Sequence, residues 1–188
     1  MAATSLDDLA RRLGITKQTI LYHFKSKEGL LRAVALNGAR ELRDELETAA
    51  DASGPGWDQV QALVRAAFAL AVRRPELLGL LREVSRLGPP VSHEVLVVLA
   101  PLIDRSVHAL DVGMDEGIFR RSDPRLVLVS AYAVTTGVVT EPEVLRAVGL
   151  ELDLRVAARL RRTVLDFLRA ALLPAQGAPS SSSELPST

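Results

Sequence analysis

Near the start of the chain, three hydroxyl residues each stand directly before a segment with helical periodicity. In chain order they are Ser5 before Leu6–Leu13, Thr16 before Lys17–Phe24, and Ser26 before a helix from Lys27 to about Asp51. A serine or threonine in this position accepts hydrogen bonds from the free N–H groups of the first helical turn. Gly14 can adopt the left-handed conformation that ends one helix and allows a tight turn into the next. The spacing predicts a helix-turn-helix unit.

The two sides of this unit differ in polarity. Apolar side chains fall where its helices must pack: Leu9, Leu13, Ile15, Ile20 and Phe24. Hydrogen-bonding side chains fall on the outer face of the second helix: Lys17, Gln18, Thr19, Tyr22 and His23. Because a short helix of this kind enters the major groove, these groups can reach base edges and phosphates. The pattern predicts that the unit binds double-stranded DNA.

The distribution of charge agrees with this prediction. Residues 1–32 contain six basic and three acidic side chains, which gives the segment a net charge of +3. The whole chain has 23 basic and 23 acidic residues, so the remainder is negative by the same amount. A basic segment on a mildly acidic body is typical of a phosphate-binding module.

Several classes of protein are disfavoured by what the sequence lacks. It has no cysteine, which excludes disulfides and thiolate metal sites, and its three histidines show no metal-ligand spacing. It has no paired carboxylates, nucleophile elbow or phosphate loop, so we expect neither an enzyme nor a cofactor. It also lacks a secretion signal and an apolar run of membrane-spanning length, so we expect a cytoplasmic protein.

The remainder of the chain consists of helical patterns separated by breaks. The clearest break is Ala52–Gly56, which contains two glycines and a proline. The predicted helices after it are Trp57–Arg74, Pro75–Leu87, a helix capped by Ser92 that runs to about Gly113 with Pro101 inside it, Asp123–Val139, and Leu152–Leu173, with a short helix or a loop at Glu141–Val148. The Pro- and Ser-rich segment 175–188 is predicted to be disordered. No segment has a convincing strand pattern, so the fold class is predicted to be all-α.

The linked residues of the first 31 positions resemble the DNA-binding motif of the TetR family of repressors. That motif has a capped helix, a Gly-apolar turn, a threonine in the recognition helix, an aromatic-His-Phe ending and a Ser-Lys-Glu start to the next helix. The matching residues here are Ser5, Gly14-Ile15, Thr19, Tyr22-His23-Phe24 and Ser26-Lys27-Glu28. Two features differ: Leu21 stands where the family usually has an aromatic residue, and only Met1–Thr4 precede Ser5, where the family has a complete helix. Without that helix, part of the cover over Leu6, Leu9 and Ile20 is expected to be lost.

The resemblance implies an all-α homodimer that represses transcription and leaves its DNA operator when a small-molecule effector binds. Residues 1–50 form the implied DNA-binding head with its connecting helix, residues 51–174 the helical regulatory and dimerisation domain, and residues 175–188 the tail. The implied base contacts are Lys17, Gln18 and Thr19. The implied phosphate contacts are Ser5, Tyr22, His23 and Lys27, and Thr16 completes the predicted DNA-binding set.

The larger domain carries two further expectations. The wide apolar faces of the helices at 123–139 and 152–173 favour four-helix packing between two copies of the chain, although a core within one chain gives the same pattern. Candidates for the effector pocket are Phe68, His93, His108 and Tyr132, each with an ordinary core or surface role as the alternative. The alternative function is a helical ligand-binding or interaction protein that no longer binds DNA because the first helix of the head is missing.

Overall fold

The regular structure of the chain is helical throughout its described part. The computed structural model describes residues 5–77, 80, 84, 88–140, 142–151 and 153–174. Its helices are α1 (Leu6–Leu13), α2 (Lys17–Phe24), α3 (Lys27–Asp51), α4 (Trp57–Arg73), α5 (Val91–Asp115), α6 (Pro124–Thr140), α7 (Pro142–Ala147) and α8 (Leu154–Leu172). The predicted all-α fold class is confirmed. Residues 75–77, 80 and 84 are also helical. The rest of the helix predicted at Pro75–Leu87 and the tail predicted at 175–188 lie outside the described residues.

Local hydrogen bonds set the starts of the first three helices, as predicted. Each cap oxygen accepts from the backbone N–H three residues further on, over 3.0–3.1 Å: Ser5 from Asp8, Thr16 from Thr19, and Ser26 from Gly29. Gly14 has a φ of 67° and ends α1 in the left-handed region, where a residue without a Cβ is not strained. These contacts produce the predicted helix-turn-helix of α1 and α2.

The long helix α3 joins this unit to the rest of the molecule and packs against α4 and α5. Its inward positions are small: Ala35 and Ala39 are completely buried and lie in one cluster with Val95 of α5. Gly38 lies between them, and a Cβ at that position would collide with the side chain of Leu77. Because these small residues let the neighbouring backbones come close, α3 is tightly seated against its neighbours.

The main core lies among α4, α5, α6 and α8. Its buried members are Val64, Phe68, Leu110, Met114, Phe119, Val164, Leu168 and Leu172. The connector between α5 and α6 contributes Phe119, and the Arg120 side chain in the same connector donates to the carbonyl of Leu173 at 3.1 Å. The end of the last described helix is thereby attached to the middle of the chain.

Two predicted helix starts need correction. Ser92 does not cap α5, which begins at Val91 after Pro90 and has no side-chain cap. Proline suits a helix start because its fixed φ is close to helical and its missing N–H has no helical partner there. The last helix begins at Leu154 instead of Leu152, because Asp153 is its cap and accepts from the backbone N–H of Val156 at 2.7 Å.

The remaining segments agree with their patterns. Pro101 lies inside α5, as predicted. The segment for which a short helix or a loop was expected forms the helix Pro142–Ala147. In the described residues, no helix is long and apolar enough to cross a membrane. The same residues contain no cluster of three or more acidic or imidazole side chains that could hold a metal ion.

Candidate nucleic-acid interface

The helix α2 turns a polar face to solvent and is anchored from the other side. Its residue Ile20 is only 3% exposed and is the buried residue of the helix. The side chains predicted for base and phosphate contacts are all exposed on this helix: Lys17, Gln18, Thr19, Tyr22 and His23. Tyr22 is 75% exposed, although a tyrosine ring is largely apolar. The structure therefore brings five of the predicted DNA-binding residues onto one accessible helix.

The packing beneath this face differs from the prediction at several positions. Leu13 is 59% exposed and Ile15 is 42% exposed, although both were expected in the interior. Ile20, for which a loss of cover was expected, is buried because α2 packs against both α1 and α3. Leu13 is the last residue of α1, and Ile15 lies in the turn after it. Leu9 and Phe24 are half-buried.

The serine and threonine hydroxyls predicted to contact DNA already have partners within the chain. Ser5 Oγ accepts from the N–H of Asp8 and donates to the carboxylate of Asp8 at 2.7 Å. The hydroxyls of Thr16 and Thr19 lie 2.9 Å apart and share a hydrogen bond. In this structure Ser5 and Thr16 therefore act as helix caps.

The junction between α2 and α3 is tight. Lys25 adopts a φ of 67°, which is unusual for a residue with a side chain, and its ammonium donates to the carbonyl of Tyr22 at 3.0 Å. A Cβ on Gly29 would collide with the carbonyl oxygen of Phe24. This need for glycine at position 29 was not predicted, although a glycine in the first turn of a capped helix is a signal for it. The close approach places the start of α3 directly against the end of α2.

Local donors favour the charged forms of two carboxylates of the unit, Asp8 and Glu28. The Ser5 hydroxyl, with Arg11 as a smaller cause, lowers the pKa of Asp8. Backbone N–H donation and the Ser26 hydroxyl lower the pKa of Glu28 at the start of α3. Charged carboxylates in a first helical turn interact favourably with the positive end of the helix dipole.

Ion pairs that the sequence pattern did not predict connect separate helices, and two of them involve basic residues of the first 32 positions. Lys17 Nζ lies 2.9 Å from Asp7 Oδ2, so the first residue of α2 is paired with the first turn of α1. Arg32 Nε lies 2.7 Å from Glu94 Oε2, which joins α3 to α5. No periodicity identifies such partners, because their separations along the chain are ten and 62 residues.

Comparison with known proteins agrees with this geometry. Residues 1–34 match the family model described as bacterial regulatory proteins of the tetR family. Over 106 residues the chain is 32% identical to the HTH-type transcriptional regulator AlkX of Mycobacterium tuberculosis. The start of the chain is thus similar to the tetR family, and about half of the chain is similar to a transcriptional regulator. The match to AlkX covers 56% of this chain and 49% of AlkX, so the chain spans about half the length of this curated relative.

Solved structures of other proteins share the fold of this chain. The TetR family transcriptional regulator PfmR from Thermus thermophilus superposes with a TM-score of 0.72 at 20% identity, covering 90% of this chain and 89% of PfmR. AibR, in complex with isovaleryl coenzyme A and operator DNA, superposes with a TM-score of 0.72 at 18% identity, covering 88% of this chain and 86% of AibR. The shared fold thus extends from the head through the helical domain.

The four residues predicted for the effector pocket do not lie in one enclosed space. Phe68 is buried in the main core with Met114 and Phe119. His93, His108 and Tyr132 are exposed on α5 and α6. A role for any of them in effector binding stays a prediction.

Proposed function

We propose that the chain is a ligand-responsive transcriptional regulator that represses by binding an operator and leaves it when a small molecule binds. The observation that carries this proposal is the polar, exposed face of α2. The opposite side of α2 is held by the buried Ile20, and the helix lies within the segment that matches the family model. A short exposed helix in this position fits the major groove, and its N-terminal residues reach base edges.

The proposed division of contacts follows the exposure and partners of the side chains. Lys17, Gln18 and Thr19 form the first turn of α2, so they approach bases. Tyr22, His23 and Lys27 lie further along and across the junction with α3, so they approach phosphates. Ser5 and Thr16 hold the helix starts and contribute to DNA binding mainly through that role.

We further propose that two copies of the chain associate through α6 and α8. These helices contact each other, yet each exposes large apolar side chains on its outer side. The exposed residues are Leu126, Val129 and Tyr132 on α6, and Leu154 and Phe167 on α8. An apolar surface of this kind in two adjacent helices is typical of an interface, and a second copy would cover it symmetrically. Two heads would then face successive major grooves.

The proposed effector is a small molecule that binds in the helical domain. AibR has the same fold and is described in complex with isovaleryl coenzyme A and operator DNA. A ligand that binds one arrangement of the heads better than another shifts the population toward that arrangement. Effector binding among α4 to α8 therefore changes DNA affinity through α3, which packs against both α4 and α5.

Selection from a random-sequence duplex library, followed by fluorescence anisotropy across a salt series, tests the proposal. The expected result is a recovered duplex whose binding weakens steeply with salt and exceeds binding to a scrambled duplex of the same composition. Recovery of no sequence, together with no salt-dependent binding, contradicts the proposal. That outcome favours the helical ligand-binding or interaction protein instead.

A further inference from the structure

The ion pair between Asp7 and Lys17 lies at the part of the head that is proposed to meet base edges. Lys17 is the first residue of α2, and Asp7 is in the first turn of α1. The side chain of Lys17 is 44% exposed and that of Asp7 is 59% exposed. Lys17 Nζ lies 2.9 Å from Asp7 Oδ2. Both groups are accessible to a macromolecule that docks on α2.

Stability does not explain this contact. A solvent-exposed ion pair contributes little to folding, because water already solvates both charges and the long lysine side chain loses freedom. The two helices have independent attachments: Ser5 caps α1, Thr16 caps α2, and Gly14 makes the turn between them. The pair therefore matters most for what the Lys17 ammonium does toward a ligand.

The other carboxylate of the same helix turn is engaged differently. Asp8 accepts from the Ser5 hydroxyl and pairs with Arg11 within α1. Among the contacts found in the described residues, Lys17 is the one side-chain partner of the Asp7 carboxylate. Asp7 and Asp8 thus carry the same charge on adjacent residues, but only the Asp7 contact reaches α2.

An ammonium carries three donors, so pairing with Asp7 leaves two for a DNA base. Guanine offers two adjacent acceptors, O6 and N7, in the major groove, and lysine is a common partner for them. The Asp7 carboxylate fixes the direction of the ammonium while it repels nearby phosphates. On DNA of arbitrary sequence, where no guanine edge is aligned, that repulsion offsets the attraction of Lys17 for the backbone.

We propose that Asp7 is a specificity-determining residue: it positions Lys17 for a base edge and lowers affinity for DNA of arbitrary sequence. This inference rests on the proposed DNA-binding function and assigns to an acidic residue a role within that same surface. Asp7 is a positioning residue, because it acts through the ammonium of Lys17.

The test compares the 188-residue chain with its Asp7→Asn and Asp8→Asn variants, which lose the same charge from adjacent positions. Anisotropy is measured from about 50 to about 200 mM salt on two probes. One is the duplex that the wild-type chain enriches from a random library, and the other is a scrambled duplex of equal composition. Circular dichroism melting confirms that each variant is folded.

For Asp7→Asn we expect binding to the scrambled duplex to tighten about 5- to 10-fold near 0.1 M salt, the effect of about one added phosphate contact. The magnitude of the salt slope should rise by about 0.9 for the same reason. Binding to the enriched duplex should stay the same or weaken, so the ratio of the affinity for the enriched duplex to that for the scrambled duplex falls.

Asp8→Asn should leave that ratio closer to the wild-type value. In a Lys17→Gln background, replacing Asp7 should no longer lower the ratio of the two affinities.

Three outcomes overturn the inference. An unchanged affinity ratio in Asp7→Asn, with normal enrichment by the wild-type chain, overturns the role of Asp7 and leaves the proposed function standing. Equal changes in Asp7→Asn and Asp8→Asn show that net charge alone acts, and they also overturn it. Failure of the wild-type chain to enrich any duplex or to bind either probe overturns the proposed function and this inference together.

Discussion

Arg32 Nε of α3 lies 2.7 Å from Glu94 Oε2 of α5, which ties the helix that follows the helix-turn-helix to a helix further along the chain. The contact lies near the end of α3 that adjoins α2, and the buried Ala35 and Ala39 follow within the next two turns. The hydrogen bond from Arg32, with a smaller contribution from nearby His93, lowers the pKa of Glu94 below its ordinary value of 4.5. The same contact raises the pKa of Arg32.

This relationship predicts a dependence of stability on pH. Because the pKa of Glu94 is lower in the folded chain than in the unfolded chain, its contribution is present above the ordinary glutamate pKa. The contribution is lost as the pH falls through the lowered folded value. The melting temperature of Glu94→Gln should therefore lie below that of the wild-type chain near neutral pH. The gap should close in acid, as measured by circular dichroism between about pH 7 and about pH 3. A gap that is constant over this range contradicts the prediction.

Replacing Gly113 by alanine should destabilise the main core. A Cβ at this position would lie 2.5 Å from Cδ2 of Phe119, whose ring is buried. Displacing that ring should cost about 1–3 kcal/mol of unfolding free energy, measured by urea denaturation. The control is Gly113→Ala combined with Phe119→Leu, because a smaller side chain leaves room for the methyl group. Additive losses in the double variant would show that the two residues do not clash.

The proposed interface between two copies should be sensitive to charge on its apolar face. Val129→Glu on α6 and Phe167→Glu on α8 each place a carboxylate where a second copy is proposed to bury apolar surface. Sedimentation velocity should show monomers for both variants and dimers for the wild-type chain. Val34→Glu is the matched control, since Val34 is exposed on α3, away from α6 and α8. Dimers in both interface variants would place the interface elsewhere.

Removing the positive charge of Lys27 should weaken binding to every DNA sequence alike. Lys27 is the first residue of α3 and is proposed to contact a phosphate, so Lys27→Ala should reduce the magnitude of the salt slope by about 0.9. Arg65→Ala, which removes the same charge from an exposed site on α4, should leave the slope unchanged. An unaltered slope in Lys27→Ala would show that this lysine does not contact the backbone.

Gln18 should act on sequence preference instead. It lies in the first exposed turn of α2, and a glutamine pairs with adenine through N6 and N7 when it reads a base. Gln18→Ala should weaken the free energy of binding to the enriched duplex by about 1–3 kcal/mol, because one bidentate contact to a base is lost. Binding to scrambled DNA should change little. Repeating the library selection with the variant should relax the preference at that position. An identical selected sequence would exclude Gln18 as a base-reading residue.

The helices of the head were predictable from the sequence because their ends depend on neighbours within four residues. Ser5, Thr16 and Ser26 cap helices that begin where their patterns indicate, and α2 and α3 have the predicted bounds. Gly14 ends α1 for a reason that is equally local, since its conformation is left-handed. Hydrogen bonds between nearby residues form in much the same way whatever lies further along the chain.

Burial and pairing across helices were decided only by the tertiary structure. Leu13 and Ile15 look like interior residues by spacing, yet they are exposed, whereas Ile20 is buried between two other helices. The partners of Lys17 and Arg32 likewise come from other helices, and Gly113 meets a ring from beyond the end of its own helix. A periodic pattern shows which face of a helix is apolar, but packing directions and distances determine which other helix, if any, covers that face.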